Sequence, residues 1–168
     1  TLLVEDVSVV ANNDLYTGPL PDPVVGVGGI FGREGSVLTV RNCIIEDNSW
    51  DGVTLYRGLP GDVTTGPVAT VENCRVGCNP PCGNGGRGVG IAATWDADLV
   101  ATGNVVHHYW KGIGSFGNTT VQIYNNVVRD QLGWGVIASG EGDMVALNNL
   151  IIRNGTTGLS VWNAGVTG

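Results

Sequence analysis

The chain has 168 residues, enough for one domain with a sizeable core. A hydrophobic share of 42% against 14% charged residues excludes a disordered chain, and a formal net charge of −7 argues against nucleic acid as a main partner. No apolar run approaches the ~18 residues of a membrane-spanning helix, and 28 glycines without a triplet period suit many tight turns rather than collagen.

One pattern recurs six times along the chain. Apolar residues stand five and three positions before a marker residue, and another stands two positions after it. The first unit has Leu2, Val4 and Val9 around Val7, and the second has Leu38, Val40 and Ile45 around Cys43. The third has Ala69, Val71 and Val76 around Cys74, and the fourth has Leu99, Ala101 and Val106 around Asn104. Val121, Ile123 and Val128 surround Asn126, then Met144, Ala146 and Ile151 surround Asn149. Residues two apart on a strand share a face, so each unit predicts one inward-facing strand and the start of another.

A glycine and a third short strand follow each marker. Its inward residues are expected to be Val53 and Leu55, Val89 and Ile91, Ile113 and Ser115, Val136 and Ala138, and Leu159 and Val161, with Gly26-Val27 a weaker match in the first unit. The outward residues Thr54, Gly90, Gly114, Ile137 and Ser160 predict a flat face with little charge, and Ile44, Val105, Val127 and Leu150 an outward apolar column. Asn104 to Asn126 spans 22 residues and Asn126 to Asn149 spans 23, a period that marks a solenoid. The fold class expected is all-β: a parallel β-helix of about six coils of three short strands, without a long helix.

Residues 1–168 form one domain on this reading. Insertions interrupt the period near 16–25, 57–67 and 78–86, where solenoids often build a binding surface. Both ends lack a readable cap. The expectation is therefore a piece of a longer β-helix, or ends that stack on further coils or other chains.

The phrases Asn104-Val105-Val106, Asn126-Val127-Val128 and Asn149-Leu150-Ile151, each leading to Gly112-Ile113, Gly135-Val136 or Gly158-Leu159, resemble the right-handed parallel β-helix repeats of the pectate-lyase-like superfamily. The likeness covers nearly the whole chain. It implies an asparagine ladder of Asn104, Asn126 and Asn149 in one turn, and it leaves function open. Cys43 and Cys74 replace asparagine in that column, so a Cys43–Cys74 disulfide is expected, with Cys78–Cys82 closing a small loop. The competing readings are buried free thiols or zinc, although Cys74-x3-Cys78-x3-Cys82 lacks the close pairs zinc favours. Disulfides would place the chain in an oxidising compartment, secreted or at the cell surface.

One turn face gathers the reactive side chains. Glu46, His107 and Arg129 are expected in one column, with Asp47 and His108 beside them as further candidates for acid–base chemistry. Trp50, Trp110, Trp134 and Tyr109 could stack on sugar rings, and Asp47, Asp51 and Asp130 could hold Ca2+. Arg41 and Glu72 are expected to pair on the surface. The leading functional expectation is an extracellular scaffold or carbohydrate-interacting module without its own catalysis, its partner a polysaccharide or other glycan. The alternatives are a Ca2+-assisted polysaccharide lyase or epimerase, chemistry the resemblance implies, and an adhesin or assembly stalk.

Overall fold

The computed structural model describes residues 1–12, 28–56, 65–79 and 88–162. The expected insertions fall mostly outside these residues. The described chain forms three six-stranded sheets, all parallel.

The first sheet contains β1 (Leu2–Glu5), β4 (Val37–Arg41), β7 (Val68–Glu72), β10 (Asp98–Thr102), β13 (Thr120–Tyr124) and β16 (Asp143–Leu147). The second contains β2 (Ser8–Val10), β5 (Ile44–Glu46), β8 (Arg75–Gly77), β11 (Val105–His107), β14 (Val127–Arg129) and β17 (Leu150–Ile152). The third contains β3 (Gly28–Arg33), β6 (Asp51–Tyr56), β9 (Val89–Thr94), β12 (Lys111–Phe116), β15 (Trp134–Ser139) and β18 (Thr157–Trp162). Each coil gives one strand to each sheet and pairs only with the coils before and after it.

The register follows the sequence columns in the first two sheets. Leu38 pairs with Ala69, Leu99 with Val121, and Val106 with Val128. Their side chains fill the interior with Val40, Val71, Ala101, Ile123 and Ile45. The third sheet departs from expectation in two coils. Val53 pairs with Ile91 and Leu55 with Ala93, so Val89 lies outside the expected inward pair. In coil one, Ile30 takes the place assigned to Val27. Both slips have one cause: Gly88-Val89-Gly90-Ile91 and Gly26-Val27-Gly28-Gly29-Ile30 each repeat the glycine–apolar phrase, and the register uses the second copy. The outward column is consequently Thr54, Ala92, Gly114, Ile137 and Ser160. It is not an exposed face, because Thr54, Ala92 and Ile137 are buried.

The asparagine ladder forms as expected. The Asn104 backbone N–H donates to Asn126 Oδ1 at 3.0 Å, and that of Asn126 to Asn149 Oδ1 at 2.9 Å. Each amide also donates backward, Asn104 Nδ2 to the Val71 carbonyl and Asn126 Nδ2 to the Ala101 carbonyl, both at 2.9 Å. The residue before each marker holds a left-handed backbone at Asp6, Asn42, Asn73, Asn125 and Asn148, types that tolerate positive φ.

The expected Cys43–Cys74 disulfide is absent, and both thiols are free and buried. The sulfurs act as further steps of the ladder. Cys74 N–H donates to Asn104 Oδ1 at 2.9 Å, and Cys43 N–H to Cys74 Sγ at 3.4 Å. Each Sγ in turn lies within hydrogen-bond reach of backbone carbonyls, Cys43 of Arg41 at 3.1 Å and Cys74 of Glu72 at 3.2 Å. Cys78 is buried, and its expected partner Cys82 lies outside the described residues. Burial pushes the Cys74 thiol up to about 11, so little thiolate exists at neutral pH. Residue-resolved alkylation should leave Cys43 and Cys74 unmodified in the folded protein and modify both in urea. Native-state labelling of either would contradict this placement.

Candidate functional site

The turn between the second and third sheets carries most of the candidate side chains. The register Glu46–Gly77–His107–Arg129 confirms their single column, one residue per coil. Gly77 makes the contact between coils two and four possible. A Cβ there would lie 2.1 Å from the His107 ring, so the imidazole lies across the glycine and reaches Glu46. His107 Nε2 stands 3.3 Å from Glu46 Oε1, in charge contact but not aligned for a hydrogen bond. Arg75, which the sequence reading did not single out, forms an ion pair with the same carboxylate oxygen. His107 Nδ1 lies 3.0 Å from His108 Nδ1.

His107 is only 2% exposed. Its burial, with Arg129 and His108 nearby, holds its proton affinity below the ordinary imidazole range despite Glu46. The imidazole is therefore neutral at pH 7 and packed between coils. His108 takes the left-handed turn position, as do Asp47 and Asp130 in their own coils.

The three aspartates expected to hold Ca2+ do not converge. Asp47 accepts from Asn79, from the backbone N–H at 2.6 Å and from Nδ2 at 3.2 Å. Asp130 sits three coils away, between Arg129 at 2.6 Å and Arg153 at 2.7 Å, and these guanidinium groups hold it well below the usual carboxylate range. Asp51 lies on β6, almost wholly buried. No group of three or more His, Cys, Asp or Glu side chains suited to a metal occurs among the described residues.

Asp51 binds within the protein. Its Oδ1 accepts the Val89 backbone N–H at 2.8 Å, and its Oδ2 accepts the Tyr56 hydroxyl at 3.3 Å. Burial raises its pKa to about 6, outweighing these bonds and the charge of Lys111.

Tyr109 is not among the exposed aromatic rings. It is fully buried and points inward, where its hydroxyl lies below Gly52 and its ring beside Gly90. Its position belongs to a second ladder that the sequence reading missed. Asn12 N–H donates to Asn48 Oδ1, Tyr109 N–H to Gln131 Oε1, and Gln131 N–H to Asn154 Oδ1. Each of these residues stands five positions after a marker, a constant offset that could have revealed them.

The tryptophans remain at the surface. Trp110 and Trp134 meet edge to face, with ring centres 5.8 Å apart, and Trp110 is 38% exposed. Lys111 Nζ lies 5.7 Å from the Trp134 ring centre and 5.8 Å from that of Phe116. Trp50 precedes Asp51 in coil two, half-buried, on a left-handed backbone. A second aromatic group, which the sequence reading also missed, joins Phe31, Tyr56 and Trp95. Phe31 stacks on Tyr56 at 5.7 Å, and Tyr56 lies 6.4 Å from Trp95. Arg41 pairs with Glu5 across the coils at 2.6 and 2.9 Å, rather than with Glu72.

No helix among the described residues is long and apolar enough to cross a membrane. No curated protein and no solved structure matches the chain. Residues 25–167 match the family described as "Right handed beta helix region". With three parallel sheets and a continuous ladder in hand, the chain belongs to the right-handed beta helix family.

Proposed function

We propose that this chain is a carbohydrate-interacting β-helix module that holds a neutral glycan against the Trp110–Trp134 edge. The observation that carries this reading is the exposed edge-to-face pair, with Lys111 beside Trp134. Indole faces stack on the apolar faces of sugar rings, and an ammonium group can donate to hydroxyls. A net charge of −7 disfavours polyanionic glycans at long range. The Glu46–His107 cluster lends the reading indirect support, because its groups contact one another and pack between coils.

The test is titration with neutral oligosaccharides, read by calorimetry and tryptophan fluorescence. Trp110→Ala and Trp134→Ala should each weaken binding at least tenfold, whereas Trp95→Ala should leave it unchanged. Equal loss in all three variants, or no binding by the native chain, would refute the assignment.

A further inference from the structure

The three sheets terminate together. β1, β2 and β3 form the outer edge of coil one, and β16, β17 and β18 that of coil six. Both edges expose side chains that occupy core columns in the middle coils. Leu2 is 58% exposed at one end, and Leu159 and Val161 are 54% and 78% exposed at the other. The corresponding positions Leu38, Ile113 and Leu55 are buried. Outer strand edges carry unpaired backbone donors and acceptors, a template for pairing with another chain.

The two ends match each other. In a parallel stack, β16 presents outward the same pattern that β13 presents to it. The terminal strands also agree in length: 5 residues in β16 and 4 in β1, 3 in both β17 and β2, and 6 in both β18 and β3. The second ladder continues across such a junction, because Asn12 holds in coil one the position that Asn154 holds in coil six. Asn154 Nδ2 is buried without a hydrogen-bond partner. The first ladder does not continue. Val7 occupies its step in coil one and offers no side-chain acceptor to the Asn149 N–H.

We infer that coil six of one chain docks on coil one of a second copy, in parallel and in register, as the coils within each chain dock on one another. Such a contact is heterologous and does not close, so it propagates as a filament with an axial repeat of roughly 29 Å, six strand spacings of ~4.8 Å. The Val7 mismatch makes each junction weaker than the contacts between coils of one chain.

Sedimentation of the full chain over micromolar to millimolar concentrations tests this inference. The expected result is a concentration-dependent series of masses. Leu2→Asp blocks one end and Val161→Asp the other, at positions exposed enough to spare the fold, which circular dichroism checks. Each variant should be monomeric alone, while an equimolar mixture should stop at dimers, since only one junction can form. Val7→Asn should tighten assembly at least tenfold by supplying the missing acceptor. A native chain that stays monomeric would overturn the inference. So would a dimer of Leu2→Asp alone, which joins coil six to coil six, or of Val161→Asp alone, which joins coil one to coil one. A mixture that remains monomeric would also overturn it. Glycan binding at Trp110 and Trp134 is independent of either result.

Discussion

Asn126→Ala should lower the stability of the fold by about 4 kcal/mol, among the largest losses expected of any polar substitution in the chain. Asn126 Oδ1 accepts both the backbone N–H and the side-chain amide of Asn104, each at 3.0 Å. Asn126 Nδ2 donates to the Ala101 carbonyl and to Asn149 Oδ1, both at 2.9 Å. Alanine leaves the Asn104 N–H and the Ala101 carbonyl buried and unpaired, and each such group costs about 1–3 kcal/mol. Asn149→Ala removes an equivalent amide from coil six, where its side chain is exposed and water can replace it. Its loss should be about 1 kcal/mol. Asn126→Cys should fall between the two, because Cys43 and Cys74 show that a thiol can occupy this position. Urea unfolding followed by tryptophan fluorescence measures all three. Equal losses for Asn126→Ala and Asn149→Ala would show that the ladder does not support the fold in this way.

Asp51→Asn should stabilise the protein at pH 7 by about 3 kcal/mol. The carboxyl is raised from 3.8 to about 6, so the folded state binds its proton more readily than the unfolded state does. Its penalty is complete above about pH 6 and is relieved as the pH falls toward 3.8. Asparagine keeps an oxygen for the Val89 N–H and an amide for the Tyr56 hydroxyl without the buried charge. His107 contributes with the opposite sign. Its folded affinity lies below the ordinary value of 6.5, so stability falls as acid drives the unfolded imidazole to protonate. In the native chain these two effects oppose each other between about pH 4 and 6. In Asp51→Asn the histidine effect acts alone, so melting temperature should fall steadily below pH 6.5. An unchanged melting temperature at pH 7, or the native pH profile, would argue against a buried ionised Asp51.

Much of the coil frame was legible because inward strand positions admit few side-chain types. The columns through Leu38, Val40 and Ile45 needed only strand alternation and the period. The third strand slipped by two residues at Val89 because glycine-rich repeats offer two equivalent starts, and packing alone chooses between them. The thiols were misread because a disulfide and a ladder step place Cys43 and Cys74 in the same column. Hydrogen bonding of sulfur to Arg41 and Glu72 is a property of side-chain direction, which spacing does not specify. At the candidate site, the Glu46–His107–Arg129 column followed from register, and the exposure of Trp110 and Trp134 agreed with expectation. The burial of Tyr109 depended on Gly52 and Gly90 in other coils. The scatter of Asp47, Asp51 and Asp130 depended on which turn position each holds. Neither is visible within a single repeat.

The spacing between stacked partners also sets an order of assembly. Ladder contacts join residues 22 and 23 apart in coils four to six, but 30 and 31 apart between Asn104, Cys74 and Cys43. Strand pairing between coils one and two spans 36 residues, as at Glu5 and Arg41. Every contact must close a loop before it contributes, so the chain folds slowly for its size. The shortest loops close first and cost the least entropy. Structure therefore nucleates around Asn104, Asn126 and Asn149 and propagates toward the amino terminus, one coil templating the next.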